Sequence, residues 1–155
     1  MGGLRALRWR NAIAFGLLIG IFSTHAAAIL IVSQPWVKLS ADRRSAEVYV
    51  NLKSSDEAEL IGASSFAAAS VSIKTPAGRP GSATEIALPA NVEVQLTAQG
   101  QHIALVRLTK ALKHGDRVPV TLNIRSADGK VQELLVNAEV RRHSAIEDEL
   151  HAHKH

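Results

Sequence analysis

Metal or proton chemistry in this chain falls to histidine. The 155 residues contain no cysteine and one methionine, the initiator Met1, which excludes disulfides, thiolate metal sites, iron–sulfur clusters and cysteine nucleophiles. Seven histidines remain. Four of them, His143, His151, His153 and His155, crowd into the last thirteen residues beside Glu147, Asp148 and Glu149. On a helix, His151 and His155 would lie one turn apart on one face, with Asp148 one turn before His151. Imidazole with carboxylate suits Cu(II), Zn(II) or Ni(II) better than Cu(I), and imidazole must be neutral to bind. The tail is therefore expected to hold a modest, pH-sensitive Cu(II) or Zn(II) site. The opposing expectation is a solvated tail that binds divalent metal without any use for it.

His102 stands apart from the tail, in the apolar run Ile103-Ala104-Leu105-Val106. It reads either as a hydrogen-bonded strand histidine at a sheet rim or as a metal ligand. Its same-face neighbour at period two is Ala104, so its own strand offers no second ligand. His114 falls in the turn Lys113-His114-Gly115-Asp116, where exposure is expected. No G-x-S-x-G or H-E-x-x-H occurs, and Glu147 with Glu149 on a terminal tail makes no glycosidase cleft. The chain is not expected to be an enzyme.

The elements that must position these residues are strands. Val48, Val50 and Leu52 alternate with Glu47, Tyr49, Asn51 and Lys53, and Val92, Val94 and Leu96 alternate with Glu93 and Gln95. Val118, Val120, Leu122 and Ile124 alternate with Pro119, Thr121 and Asn123. Such period-two runs are half-buried strands. Turn signals separate them, and Asp128-Gly129 between two apolar runs predicts a hairpin with a tight primed turn. With no convincing helix before residue 140 and no repeat, the pattern predicts an all-β, antiparallel β-sandwich. Trp36, Tyr49 and Phe66 are expected to be its core or rim anchors. Ser144 and Glu147 could cap a short helix after it.

Residues 1–28 read as a secretory signal, with a basic start through Arg10, an apolar stretch from Ala12 to Phe22, and Ala26-Ala27-Ala28 as a cleavage site. The alternative is an uncleaved inner-membrane anchor. The layout is thus a signal over 1–28, a sandwich over 29–142 and a histidine-rich tail over 143–155, in the periplasm. Removing Arg5, Arg8 and Arg10 from 18 Lys+Arg leaves 15 cations against 14 Asp+Glu. A nearly neutral body with 4% aromatic residues excludes nucleic acid as the natural partner.

Several segments together resemble a known family. Gln34-Pro35-Trp36-Val37-Lys38, the strand Ala46-Glu47-Val48-Tyr49-Val50-Asn51-Leu52, the segment Leu60-Ile61-Gly62-Ala63-Ser64-Ser65 and the run from Leu112 to Leu122 resemble, in order, motifs of the periplasmic PCu(A)C copper chaperones. The resemblance covers residues 31–140 and implies a cupredoxin-like Greek-key sandwich. It also implies a Cu(I) site of two histidines and two methionines that passes copper toward cytochrome oxidase. Lys74 stands where the first histidine is expected, Pro76 at a methionine, His102 at the second histidine and Ala104 at its methionine. An ammonium has no lone pair. With one ligand of four left, the resemblance implies a degenerate Cu(I) site. The function expected is a copper-chaperone-like protein whose copper or zinc is held by the tail and His102, with periplasmic copper-handling or cytochrome oxidase assembly proteins as partners. The alternative is a metal-free binding or scaffolding sandwich with a retained docking surface.

Overall fold

The alternation of apolar and polar residues resolves into strands in the computed structural model, which describes residues 28–76 and 84–143. The signal, the tail beyond His143 and the segment 77–83 lie outside the described residues. Nine strands follow in order: β1 (Leu30–Leu39), β2 (Ser45–Ser54), β3 (Ala58–Ser64), β4 (Ala68–Lys74), β5 (Ile86–Leu88), β6 (Glu93–Gln95), β7 (His102–Leu108), β8 (Arg117–Ser126) and β9 (Val131–Val140). No helix occurs among the described residues. The strands pair in the order β4-β7-β2-β1-β9-β8-β3-β5, with β6 attached to β2. The path curls so that β3 comes back against β4. Two halves of one continuous ladder therefore face each other across a core, which is the expected sandwich.

One face of each long strand fills that core. Val48, Val50 and Leu52 of β2 meet Ile103 and Leu105 of β7, Val120, Leu122 and Ile124 of β8, and Ala138 and Val140 of β9. Burying each such aliphatic side chain contributes about 1.5–3 kcal/mol. The core is wholly aliphatic, since no aromatic residue belongs to it. The expected aromatic anchors are placed otherwise. Tyr49 is buried, but it faces away from the aliphatic cluster and packs on Trp36 with ring centroids 4.6 Å apart. Phe66 is no anchor of the packing: it is 96% exposed. Its turn is clamped by Ser65 Oγ on the Pro119 carbonyl and Thr109 Oγ1 on the Phe66 carbonyl, which turns the ring outward.

A β-bulge explains how Trp36 reaches the outer face. Leu30 and Val32 pack toward the core from even positions, whereas Val37 and Leu39 do so from odd ones. The register with β2 shifts between Ser33 and Trp36, where Gln34 has φ 50 and Pro35 offers no amide to the ladder. One extra residue reverses the side-chain parity of the strand. Without it Trp36 would point inward.

Two further details differ from expectation. The pairing of β1 with β9 is parallel, Trp36 opposite Glu139 and Val37 opposite Val140, so the sheet is not wholly antiparallel. The hairpin at Asp128-Gly129 closes through three residues. Gly129 N–H donates to Ser126 O at 2.8 Å, Ser126 N–H to Lys130 O at 2.9 Å, and only Gly129 has positive φ, at 85°. That is a type I turn followed by a left-handed glycine, the other common hairpin closure.

Candidate metal-handling face

The outer face of β4, β7, β2 and β1 carries the polar residues left over from core formation. Register places them in rows. Lys74 of β4 stands opposite His102 of β7. Ser72 faces Ala104, Ala104 faces Glu47 of β2, and Glu47 faces Lys38 of β1. Tyr49 faces Trp36, and Trp36 faces Glu139. The positions matched to the copper ligands, Lys74, His102 and Ala104, are thus neighbours on adjacent strands.

His102 is mostly buried, its side chain 15% exposed. Its Nδ1 lies 3.3 Å from the Gly100 carbonyl. With the proton on Nδ1 donated to that carbonyl, Nε2 keeps its lone pair. Nε2 lies 3.8 Å from Glu47 Oε1, and the other carboxylate oxygen accepts the Tyr49 hydroxyl. The Tyr49 ring stands 6.2 Å from the imidazole, centroid to centroid. Burial, then the bond to Glu47 and its negative charge, push the Tyr49 phenol above its ordinary value. Tyr49 therefore remains a donor and fixes the carboxylate.

Glu47 is the residue that sequence reasoning missed as a site candidate. Alternation places it with Tyr49 on the polar face of its strand, but nothing local indicates that β7 is the adjacent strand or that His102 lies in reach. Two donors sharing a tetrahedral zinc at about 2.0–2.1 Å are roughly 3.3 Å apart. The His102–Glu47 pair is within about half an ångström of that separation and could supply two ligands. Lys74 across the strand opposes a bound cation. No group of three or more histidine and carboxylate side chains with metal-binding geometry occurs among the described residues.

Beside this pair lies a cleft of about 280 Å³, lined by Trp36, Tyr49, Gln95, Gln99, Arg142 and His143 among others. His143, the first histidine of the tail, thus lies at a cleft that shares Tyr49 with the His102 cluster. His151, His153 and His155 fall outside the described residues. His114 is exposed and accepts from Arg142 Nε at 3.3 Å, as its turn position implies. A larger hollow of about 560 Å³ lies elsewhere, against Glu59, Leu88, Pro89 and Arg125. There Arg125 bonds both Glu59 and Glu85, so its charge is already satisfied.

A curled β-sandwich whose outer face gathers these positions is the fold of PCuAC domains. The structure is similar to the apo PCuAC domain from PmoF1, with a TM-score of 0.63 and 23% identity over 72% of this chain and 92% of that one. It is similar to the copper-bound PCuAC domain from PmoF2, with a TM-score of 0.57, 23% identity and the same coverages. It also resembles Cu(I)-bound DR1885 from Deinococcus radiodurans, with a TM-score of 0.50 and 27% identity over 75% and 77% of the two chains. No curated protein sequence matches the chain. Residues 30–138 match the family model described as lipoprotein LpqE-like, and the chain belongs to that LpqE-like family.

Proposed function

We propose that the protein is an extracytoplasmic metal-handling protein of the copper-chaperone type, in which Cu(II) or Zn(II) is carried as cargo by the histidine-rich tail together with His102. Its work is binding and transfer, without chemistry on a substrate. The observation that carries this reading is the meeting of His102 with Glu47 at 3.8 Å, beside a cleft that His143 and Tyr49 both line. Imidazole and carboxylate are borderline and hard donors, matched to Cu(II) and Zn(II). Thioethers, which would retain Cu(I), are absent from the chain after Met1. The pair alone provides two ligands, and His143, His151, His153 and His155 would complete the set. Copper-bound relatives of the same fold support copper as the first metal to test, and periplasmic copper-handling proteins, including those that assemble cytochrome oxidase, as the partners.

Calorimetric titration of residues 29–155 with Cu(II) and with Zn(II), against a chain ending at Arg142 and against His102→Ala, tests the proposal. Loss of the tail is expected to weaken binding ten-fold or more, and His102→Ala several-fold. Binding should fall as the imidazoles protonate below about pH 6. Equal affinity in the full and shortened chains sinks the tail assignment. The second reading, a metal-free docking sandwich, is favoured by Lys74, whose strand position is opposite His102. It predicts no metal in either chain after growth with copper.

A further inference from the structure

Phe66 is a large apolar side chain left 96% in solvent, and the metal reading has no use for it. Its turn belongs to a rim in which three loops are stitched together. Thr109 N–H donates to the Ala67 carbonyl at 2.9 Å, and Leu108 N–H donates to the Arg44 carbonyl at 2.9 Å. Arg43, Arg44, Arg107, Lys110 and Lys113 are all exposed on this rim. Among the described residues of its loops, the two acids are engaged locally: Asp42 accepts from Ser40 Oγ and from the Arg44 amide, and Asp116 accepts from the Lys113 amide. Arg43 and Arg107 have φ 54 and 56, a left-handed conformation that costs a side-chain-bearing residue sterically and that glycine would adopt freely. Strained backbone persists where the surrounding structure enforces it, and it concentrates at functional positions. The opposite end carries Asp56, Glu57, Glu85 and Asp128, of which Glu85 is paired with Arg125 and Asp128 with Lys130.

We propose that the Phe66 rim docks on an anionic lipid surface, the phenylalanine entering the interface while the surrounding arginines and lysines meet the headgroup phosphates. An aromatic wedge among cations is the pattern of interfacial lipid binding. The ring tips a turn rather than lining a groove, which suits a soft bilayer better than a preformed protein socket. The description of the family by a lipoprotein points to the same occupant. Register adds a condition. Leu30 pairs with Ser54 at the end away from Phe66, and a ten-residue strand is about 33 Å long. With the strands normal to the bilayer, a chain still anchored through residues 1–28 would hold the cationic rim several Debye lengths from it, so docking is tested on residues 29–155.

Every strand among the described residues lies within 30–140, and the chain 29–155 contains them all. Its co-sedimentation with vesicles of equal parts phosphatidylglycerol and phosphatidylcholine, without added metal, is the test. Binding is expected to exceed that to phosphatidylcholine alone and to fall in high salt. It should drop about ten-fold in Phe66→Ser and about five-fold in Arg43→Gln or Lys110→Gln, with unchanged circular dichroism. Equal binding to neutral and anionic vesicles overturns the proposal, and so does wild-type binding by Phe66→Ser. Failure to bind vesicles, combined with salt-sensitive and Phe66-dependent binding to an acidic protein, overturns it in favour of a protein partner. Because no metal is present, the outcome does not depend on whether the tail and His102 bind metal.

Discussion

At the scale of single residues, the resemblance implies departures from a soft copper site at Lys74, Pro76 and Ala104, and each proposed difference has a physical consequence. Lys74 would bring a positive charge, Pro76 and Ala104 would lack a sulfur, and Glu47 across from Ala104 would add a hard oxygen. Lys74→His combined with Ala104→Met should therefore create Cu(I) affinity that wild type lacks. Competition against a colorimetric Cu(I) chelator would read this as copper retained by the variant and surrendered by the wild type. Tyr49 yields a second prediction. Its phenol is held above the ordinary value of 10.0, so it favours the folded state fully below pH 10, and that contribution is lost as pH rises toward the folded value. Tyr49→Phe should cost about 1 kcal/mol at neutral pH, the net worth of a typical hydrogen bond, and should flatten the alkaline fall in stability measured by urea unfolding. Short motifs align His102, Lys74 and Ala104 with the family's ligand positions, and the register places them on adjacent strands. Glu47 was not legible, since an outward charge on a strand reads as solvated until its neighbour is known. Phe66 was misread for a related reason: hydrophobicity predicts burial on average, whereas two hydroxyl bonds to backbone carbonyls aim this turn into water.

At the scale of elements, period two was sufficient to find the long strands and insufficient to orient all of them. In β2 and β8 the buried aliphatic residues keep one parity and the core follows directly. In β1 the parity changes at Gln34-Pro35, and only the bulge makes Trp36 and Val37 compatible with a single strand. Turn chemistry was likewise legible in kind but not in detail. Glycine at 129 was expected, yet the three-residue closure places the positive φ on Gly129 alone. A Cβ built there meets nothing within 4 Å, so the effect of Gly129→Ala isolates backbone strain from crowding. It should destabilise the protein by about 1 kcal/mol, seen as a lower urea midpoint with an unchanged slope. A loss of several kcal/mol would mean that the hairpin register itself had shifted.

At the scale of the whole molecule, the N-terminal segment decides which surfaces are available. Its basic start and apolar run are proposed from the sequence to be an export signal, and the first described strand begins at Leu30. The Ile29 amide donates to Ser55 Oγ at 2.9 Å, the Ile29 carbonyl accepts from the Ser55 amide, and Leu30 enters β1. The apolar run from Ala12 to Phe22 is joined to the first strand by residues 23–29. Retained as an anchor, it would place the Ser54 end of the sandwich nearer the membrane than Phe66 and its cations. Cleaved after Ala28, it frees the molecule to present either end and removes Met1 and with it the last sulfur atom. The mature chain would then depend on imidazole and carboxylate for metal and on Phe66 with its arginines for lipid. Mass spectrometry of the protein recovered from the periplasmic fraction should give the mass of residues 29–155 and an N-terminal isoleucine. Recovery of the intact chain in the membrane pellet, resistant to high salt, would instead assign residues 1–28 as the anchor and confine Phe66 to partners beyond the bilayer.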